Sequence, residues 1–197
     1  MIASRTGRPI WASLATLAAC ATLLFAACQT IPKAPGAHVH ELYHGDLETV
    51  APMDIVVAPI LDDSVDGGVP DLELRRAFQR ELIVRRYSAL ALPYTDRRVV
   101  NAAYQPGALY EDAILQVKIR KWDLSRWKSN SEVSVIVEAW MLSAEDEREL
   151  WGGRLERTFY LETDMSKRAT EKGAFEKTAQ SIAQELMEVM PARSPQP

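Results

Sequence analysis

The three histidines of the chain, His38, His40 and His44, fall within seven residues. Among them, His40-Glu41-Leu42-Tyr43-His44 matches H-E-x-x-H. On a helix that spacing sets two imidazoles on one face, where they can bind zinc, and places the glutamate as general base. A zinc metallopeptidase is therefore the one enzyme class that residue types and spacing suggest. Its requirements are poorly met. A catalytic zinc needs a third ligand and a rigid helix in a packed site. Pro35 and Gly36 precede the match and Gly45 follows it, so little helix is available. No histidine lies downstream, so the third ligand would have to be a carboxylate. The three histidines stay as metal candidates only, and the segment reads as a polar tether or the lead-in to a short strand.

Other catalytic signatures are missing from the sequence. No glycine-rich phosphate loop follows a strand, and there is no G-x-S-x-G elbow. Asp62, Asp63 and Asp66 surround Gly67-Gly68 but lack the closing glutamate of a calcium loop, so a solvated turn is expected. Nothing selects a carboxylate pair for acid–base work. The expectation is a protein without cofactor that is not an enzyme. Trp122, Trp140 and Trp151 read as core or cross-strand packers, with an exposed aromatic platform as the alternative. Trp127, between Arg126 and Lys128, is the tryptophan assigned to an exposed interaction surface.

The cysteines carry a different chemistry. Residues 1–27 contain Arg5 and Arg8 and no acid, and no charge occurs from Pro9 to Ala27. A basic start, an apolar run and small residues before a cut site describe a secretory signal. The run ends in Phe25-Ala26-Ala27-Cys28, which resembles a bacterial lipobox, where the chain is cut before a lipidated cysteine. Leu17-Ala18-Ala19-Cys20 is a second candidate and nearer to the favoured pattern. Cys28 is preferred because apolar character ends there and Gln29 to Lys33 begins a polar stretch. A cut at Cys28 leaves the mature chain with one cysteine, itself lipidated, so no disulfide can form. Several acyl chains of the palmitate type at about 0.8 kcal/mol per buried methylene bind almost permanently.

The lipobox resemblance implies a membrane lipoprotein facing the periplasm. Gln29 rather than an aspartate after the cysteine implies the outer membrane, with the inner membrane as the alternative. The formal charge of −4, with basic and acidic residues interspersed, argues against nucleic acid as a partner.

Periodicity supplies the remaining elements. Residues 28–50 read as the lipidated cysteine and a flexible tether reaching roughly 25 Å as a random coil. Residues 51–190 read as one α+β domain, and 191–197 as a disordered tail. Residues 54–60 predict a buried strand, 70–86 an amphipathic helix, and 87–93 a second strand. Thr95 caps a short helix through Ala103. Runs at 113–122, 133–142 and 149–161 predict an antiparallel meander, with a bulge at Gly152-Gly153. A final helix is predicted from Met165 to Met190. The fold class expected is α+β: strand, helix, strand, helix, three-stranded meander, helix, with a mixed sheet and helices packed on one face.

The segments DIVVAPILDDS and RRYSALAL resemble the opening of the TolB amino-terminal-like domain. EDAILQVKIRKWDL and SVIVEAWMLSAEDERELWGGRLERTF, with a closing helix, resemble a family of proteobacterial lipoproteins with that fold. The PelC and CsgG families, and the auxiliary lipoproteins of ABC-type lipid transporters, are more distantly similar. The resemblance covers about residues 53–190 and implies no catalytic residue. It implies a non-catalytic assembly or transport accessory of the cell envelope, whose partners are the membrane, envelope proteins and a second copy of itself. The alternative is a lipid- or glycan-binding transporter auxiliary.

Overall fold

The computed structural model describes residues 38–65, 67–98, 106–160 and 171–194. Among these, the strands are β1 (Val39–His44), β2 (Asp54–Val57), β3 (Leu61–Asp62), β4 (Ser88–Ala89), β5 (Ala113–Asp123), β6 (Glu132–Ser143) and β7 (Glu149–Tyr160). The helices are α1 (Leu47–Val50), α2 (Asp71–Val84), α3 (Leu92–Asp96), α4 (Trp127–Asn130) and α5 (Glu171–Met187). The strands form one mixed seven-stranded sheet in the order β1-β7-β6-β5-β2-β4, with β3 also paired to β5. Pairs β1/β7, β7/β6 and β6/β5 are antiparallel. Pairs β2/β5, β2/β4 and β3/β5 are parallel.

The two longest helices bury apolar stripes at helical spacing, Leu74, Ala77, Phe78 and Leu82 on α2 and Ala179, Ile182, Ala183 and Leu186 on α5. Alternate residues of the meander meet them: Val117 and Ile119 of β5, Val133, Val135 and Val137 of β6, and Trp151 and Leu155 of β7. Leu47, Leu92 and Trp127 join the same cluster, so all five helices contribute to one core on one face of the sheet. The opposite face of β5, β6 and β7 carries Gln116, Lys118, Ser134, Ile136, Trp140, Arg154 and Thr158, all part-exposed.

The expected fold class is the one found, with differences at the edges. Residues 39–50, read as tether, form β1 and α1, so at most residues 28–37 remain for a tether. The backbone of Val39 to His44 completes the ladder of β7, a gain that composition does not announce. Only Ser88 and Ala89 of the 87–93 run are strand, because Pro93 cannot donate to a ladder and instead enters α3. Thr95 lies inside α3 rather than capping a helix; residues 99–103 of the predicted helix fall outside the described residues, as does the first part of the predicted final helix.

The bulge is not at Gly152-Gly153 itself. Register shifts leave Leu42 unpaired on β1 opposite those glycines, Leu150 unpaired on β7, and Arg120 unpaired on β5. The last one matters for the site. It turns both Arg120 and Lys121 outward and returns Trp122 to the core.

Candidate functional site

Cys28 and Cys20, the lipidation candidates, lie outside the described residues. The H-E-x-x-H match forms a strand rather than a helix. His40 pairs with Arg154 and His44 with Trp151, residues that point to opposite faces of β7, because the Leu42 bulge reverses the alternation. The two imidazoles are thereby separated by the sheet. His44 Nδ1 instead sits 2.8 Å from Glu41 Oε1. That hydrogen bond, and the charge of Glu41, raise its pKa above the usual 6.5. Among the described residues, no three His, Cys, Asp or Glu side chains group as a metal site.

The tryptophans divide. Trp122 and Trp151 are fully buried. Trp151 lies over Gly153 on the helix side, and Trp140 lies over Gly152 on the open side, so two adjacent glycines seat one indole on each face of the sheet. Trp127, assigned to an exposed interaction surface, is half-buried in α4. Its ring centroid is 5.8 Å from that of Phe175, which also meets Trp122 edge-on at 6.0 Å. It closes one end of the core because Leu124 and Trp127 fold back over α5.

The polar side chains that do converge lie on the open face. Asp63, just beyond β3, takes Lys118 Nζ at 2.8 Å and Arg120 Nη1 at 2.9 Å. Arg120 Nε reaches Glu138 on β6 at 2.8 Å. Arg154 Nη1 on β7 reaches the other oxygen of Glu138 at 2.7 Å, and its Nη2 approaches Glu156 at 3.4 Å. The result is a continuous ladder of charge crossing β3, β5, β6 and β7. Glu138 is its centre: only 6% exposed, it is held between two guanidinium groups. The hydrogen bond from Lys118 holds the Asp63 carboxyl below its usual range, and the bond to Glu138 raises Arg120, so these groups stay charged. The expected turn forms beside them, with Asp62 accepting from Ser64 N at 2.9 Å and Oγ at 2.6 Å. Toward the amino terminus of β1 the same face opens into a groove of about 490 Å³, lined by His38, Lys121, Ser134, Glu156, Thr158 and Tyr160 among others.

Sequence reasoning missed the ladder. The available signal was Glu138 in the otherwise apolar run of β6, since a carboxylate that deep in a strand must find partners.

A two-layer α+β domain with every described helix on one face of a mixed sheet, and an opposite face that is charged and part-exposed across β5, β6 and β7, defines the class. No family model matches the chain, and no curated protein matches it. Among solved structures it is similar to the PelC dodecamer from Paraburkholderia phytofirmans, with a TM-score of 0.52 and 12% identity over 79% of this chain and 98% of that one. A variant of that PelC dodecamer with one Leu-to-Met substitution, in a second crystal form, gives 0.53. The chain is also similar to the lipoprotein GNA1162 from Neisseria meningitidis, with a TM-score of 0.46 and 16% identity over 71% of this chain and 99% of that one. At these identities the PelC likeness is one of fold, and it is the fold that the sequence resemblance implied.

Proposed function

We propose that this chain is a non-catalytic lipoprotein of the cell envelope that works by docking to other envelope proteins, itself among them. In this reading it is anchored through Cys28, faces the periplasm from the outer membrane, and serves assembly or transport. The observation that carries it is the part-exposed face of β5, β6 and β7, laid with oriented charge and bounded by the β1 edge. A sheet face and an edge strand are surfaces that proteins pair against. The PelC structures of this fold are dodecamers, which supports self-association as one of the contacts.

A photo-crosslinking residue placed at His40 or Trp140 in the full chain in its native envelope tests this. Adducts from those positions, and none from Arg76 on the outside of α2, are expected. Equal labelling from both faces, or none from either, would end the reading.

A second reading is a glycan-binding auxiliary, favoured by the groove beside β1. Its wall carries the Ser134–Thr158 hydroxyl pair, 2.7 Å apart, and Tyr160, 70% exposed. Mass analysis of material co-purifying with the chain separates the two, since a retained saccharide released by Tyr160→Ala belongs to the second reading only.

A further inference from the structure

The side chains of the groove beside β1 stand in rows that the strand registers set. Lys121, Ile136 and Glu156 form one row across β5, β6 and β7. Ser134 and Thr158 form the next, and Tyr160, opposite Glu132, ends the groove. Lys121 and Glu156 are thus on strands about 10 Å apart, with Ile136 between them. Each charge at the walls already has a partner. Lys121 Nζ lies 3.3 Å from Asp123, and Glu156 lies 3.4 Å from Arg154. Arg157, which also borders the groove, turns its guanidinium to Glu185 on α5. No wall needs a counter-ion from a ligand. An acidic ligand would meet Glu156 and a basic one would meet Lys121. The walls instead offer N–H donors on one side and carboxylate acceptors on the other, which suits a neutral molecule rich in hydroxyls.

The floor narrows the class further. The Ser134–Thr158 pair, 2.7 Å apart, spends one hydroxyl hydrogen on itself and keeps the other to donate. Val135 is buried in the core, so Ile136 is the aliphatic side chain that the groove receives. A hydroxyl donor beside an aliphatic side chain is the counterpart of an acetamido group, whose carbonyl accepts and whose methyl gains by leaving water. We infer that the groove is a subsite for an N-acetylated hexosamine of a neutral glycan. Its ring lies against Tyr160, its acetamido carbonyl accepts from the hydroxyl pair, and its methyl rests on Ile136. Tyr160, the hydroxyl pair and Ile136 follow one another along the strands at about 7 Å per row, in the order of ring, carbonyl and methyl in such a sugar. The volume of about 490 Å³ is that of a small-ligand site.

This inference rests on the glycan reading above and names the sugar. Its test uses the full chain in a detergent without a sugar head group, titrated calorimetrically with three tetramers of the same linkage and ring shape. Chitotetraose carries the acetamido group, cellotetraose a hydroxyl in its place, and the glucosamine tetramer an ammonium. Chitotetraose is expected to bind at least about tenfold more tightly than the other two. Its affinity should change little between low and high salt, because it carries no charge. Tyr160→Ala should weaken it about tenfold. Ile136→Thr, which keeps a β-branched residue on the strand, should lower chitotetraose to the level of cellotetraose and leave cellotetraose unchanged. That unchanged affinity also shows that the variant is folded. Equal binding of chitotetraose and cellotetraose, or tightest binding of the glucosamine tetramer, would overturn the inference and leave the glycan reading standing. Chitotetraose binding that both substitutions leave intact would overturn it as well. Binding of none of the three would overturn it too; whether a saccharide co-purifies with the chain then decides the glycan reading separately.

Discussion

The adjacent glycines of β7 show how much one missing methyl can matter. A Cβ at Gly153 would lie 2.8 and 3.0 Å from two ring carbons of Trp151 and 3.2 Å from Leu186, all in the core. A Cβ at Gly152 would lie 3.0 Å from Trp140, whose indole borders solvent and can swing away. A β-branched residue gains strand propensity at either site, so the difference is one of packing. Gly153→Val is expected to cost about 2 kcal/mol, and Gly152→Val less than about 1 kcal/mol. Urea midpoints of the two variants check this.

His44 gives a second expectation. Its pKa is higher in the fold than in the unfolded chain, owing first to its hydrogen bond with Glu41. The folded state thus holds the proton more tightly. The contribution is complete below the ordinary value of 6.5 and is lost as pH rises through the raised value. The difference in Tm between the parent and His44→Gln should shrink across that interval. A difference that grows with pH would contradict the sign.

Among the elements, β1 is the least expected and the easiest to remove. Deleting residues 1–45 uncovers the ladder of β7 and the core residues Trp151 and Leu155 that lie beneath it. Such a chain is expected to aggregate through the new edge, measurable by size exclusion, where deletion of residues 1–36 leaves a soluble domain. In α2, Phe78→Ala removes a fully buried ring and should cost about 3–5 kcal/mol, read from chemical denaturation.

Periodicity made the meander and the long helices legible, since Leu74, Phe78 and Leu82, or Val133, Val135 and Val137, repeat at the spacing of their element. It failed at β1 because an edge strand with one buried residue in six, interrupted by the Leu42 bulge, keeps no alternation. The ladder was hidden for a different reason. Arg120 and Arg154 look like ordinary solvated strand residues until the register sets Arg154 opposite Glu138 and the side chain of Arg120, from the bulge, reaches back to the same carboxylate. Trp127 was misread because Phe175, its partner, is 48 residues away in sequence.

At the scale of the molecule, the anchor proposed at Cys28 is tested apart from the domain. If Cys28 is the lipidated residue, Cys28→Ser moves the chain from the membrane to the soluble fraction and leaves Cys20→Ser bound. Fractionation with mass analysis of the mature amino terminus reads this directly, and the reverse outcome would move the assignment to Cys20.

The position of β1 has a mechanical consequence. Any pull transmitted through residues before Val39 arrives at the first residue of an edge strand whose hydrogen bonds all go to β7. Tension along the strand loads those bonds together, in shear. Tension across it breaks them one at a time, from Val39 toward His44. The core, held by the other strands and by α2 and α5, is not in the line of force. A domain joined in this way yields first at its leash and keeps the open face of its sheet in shape while it does so.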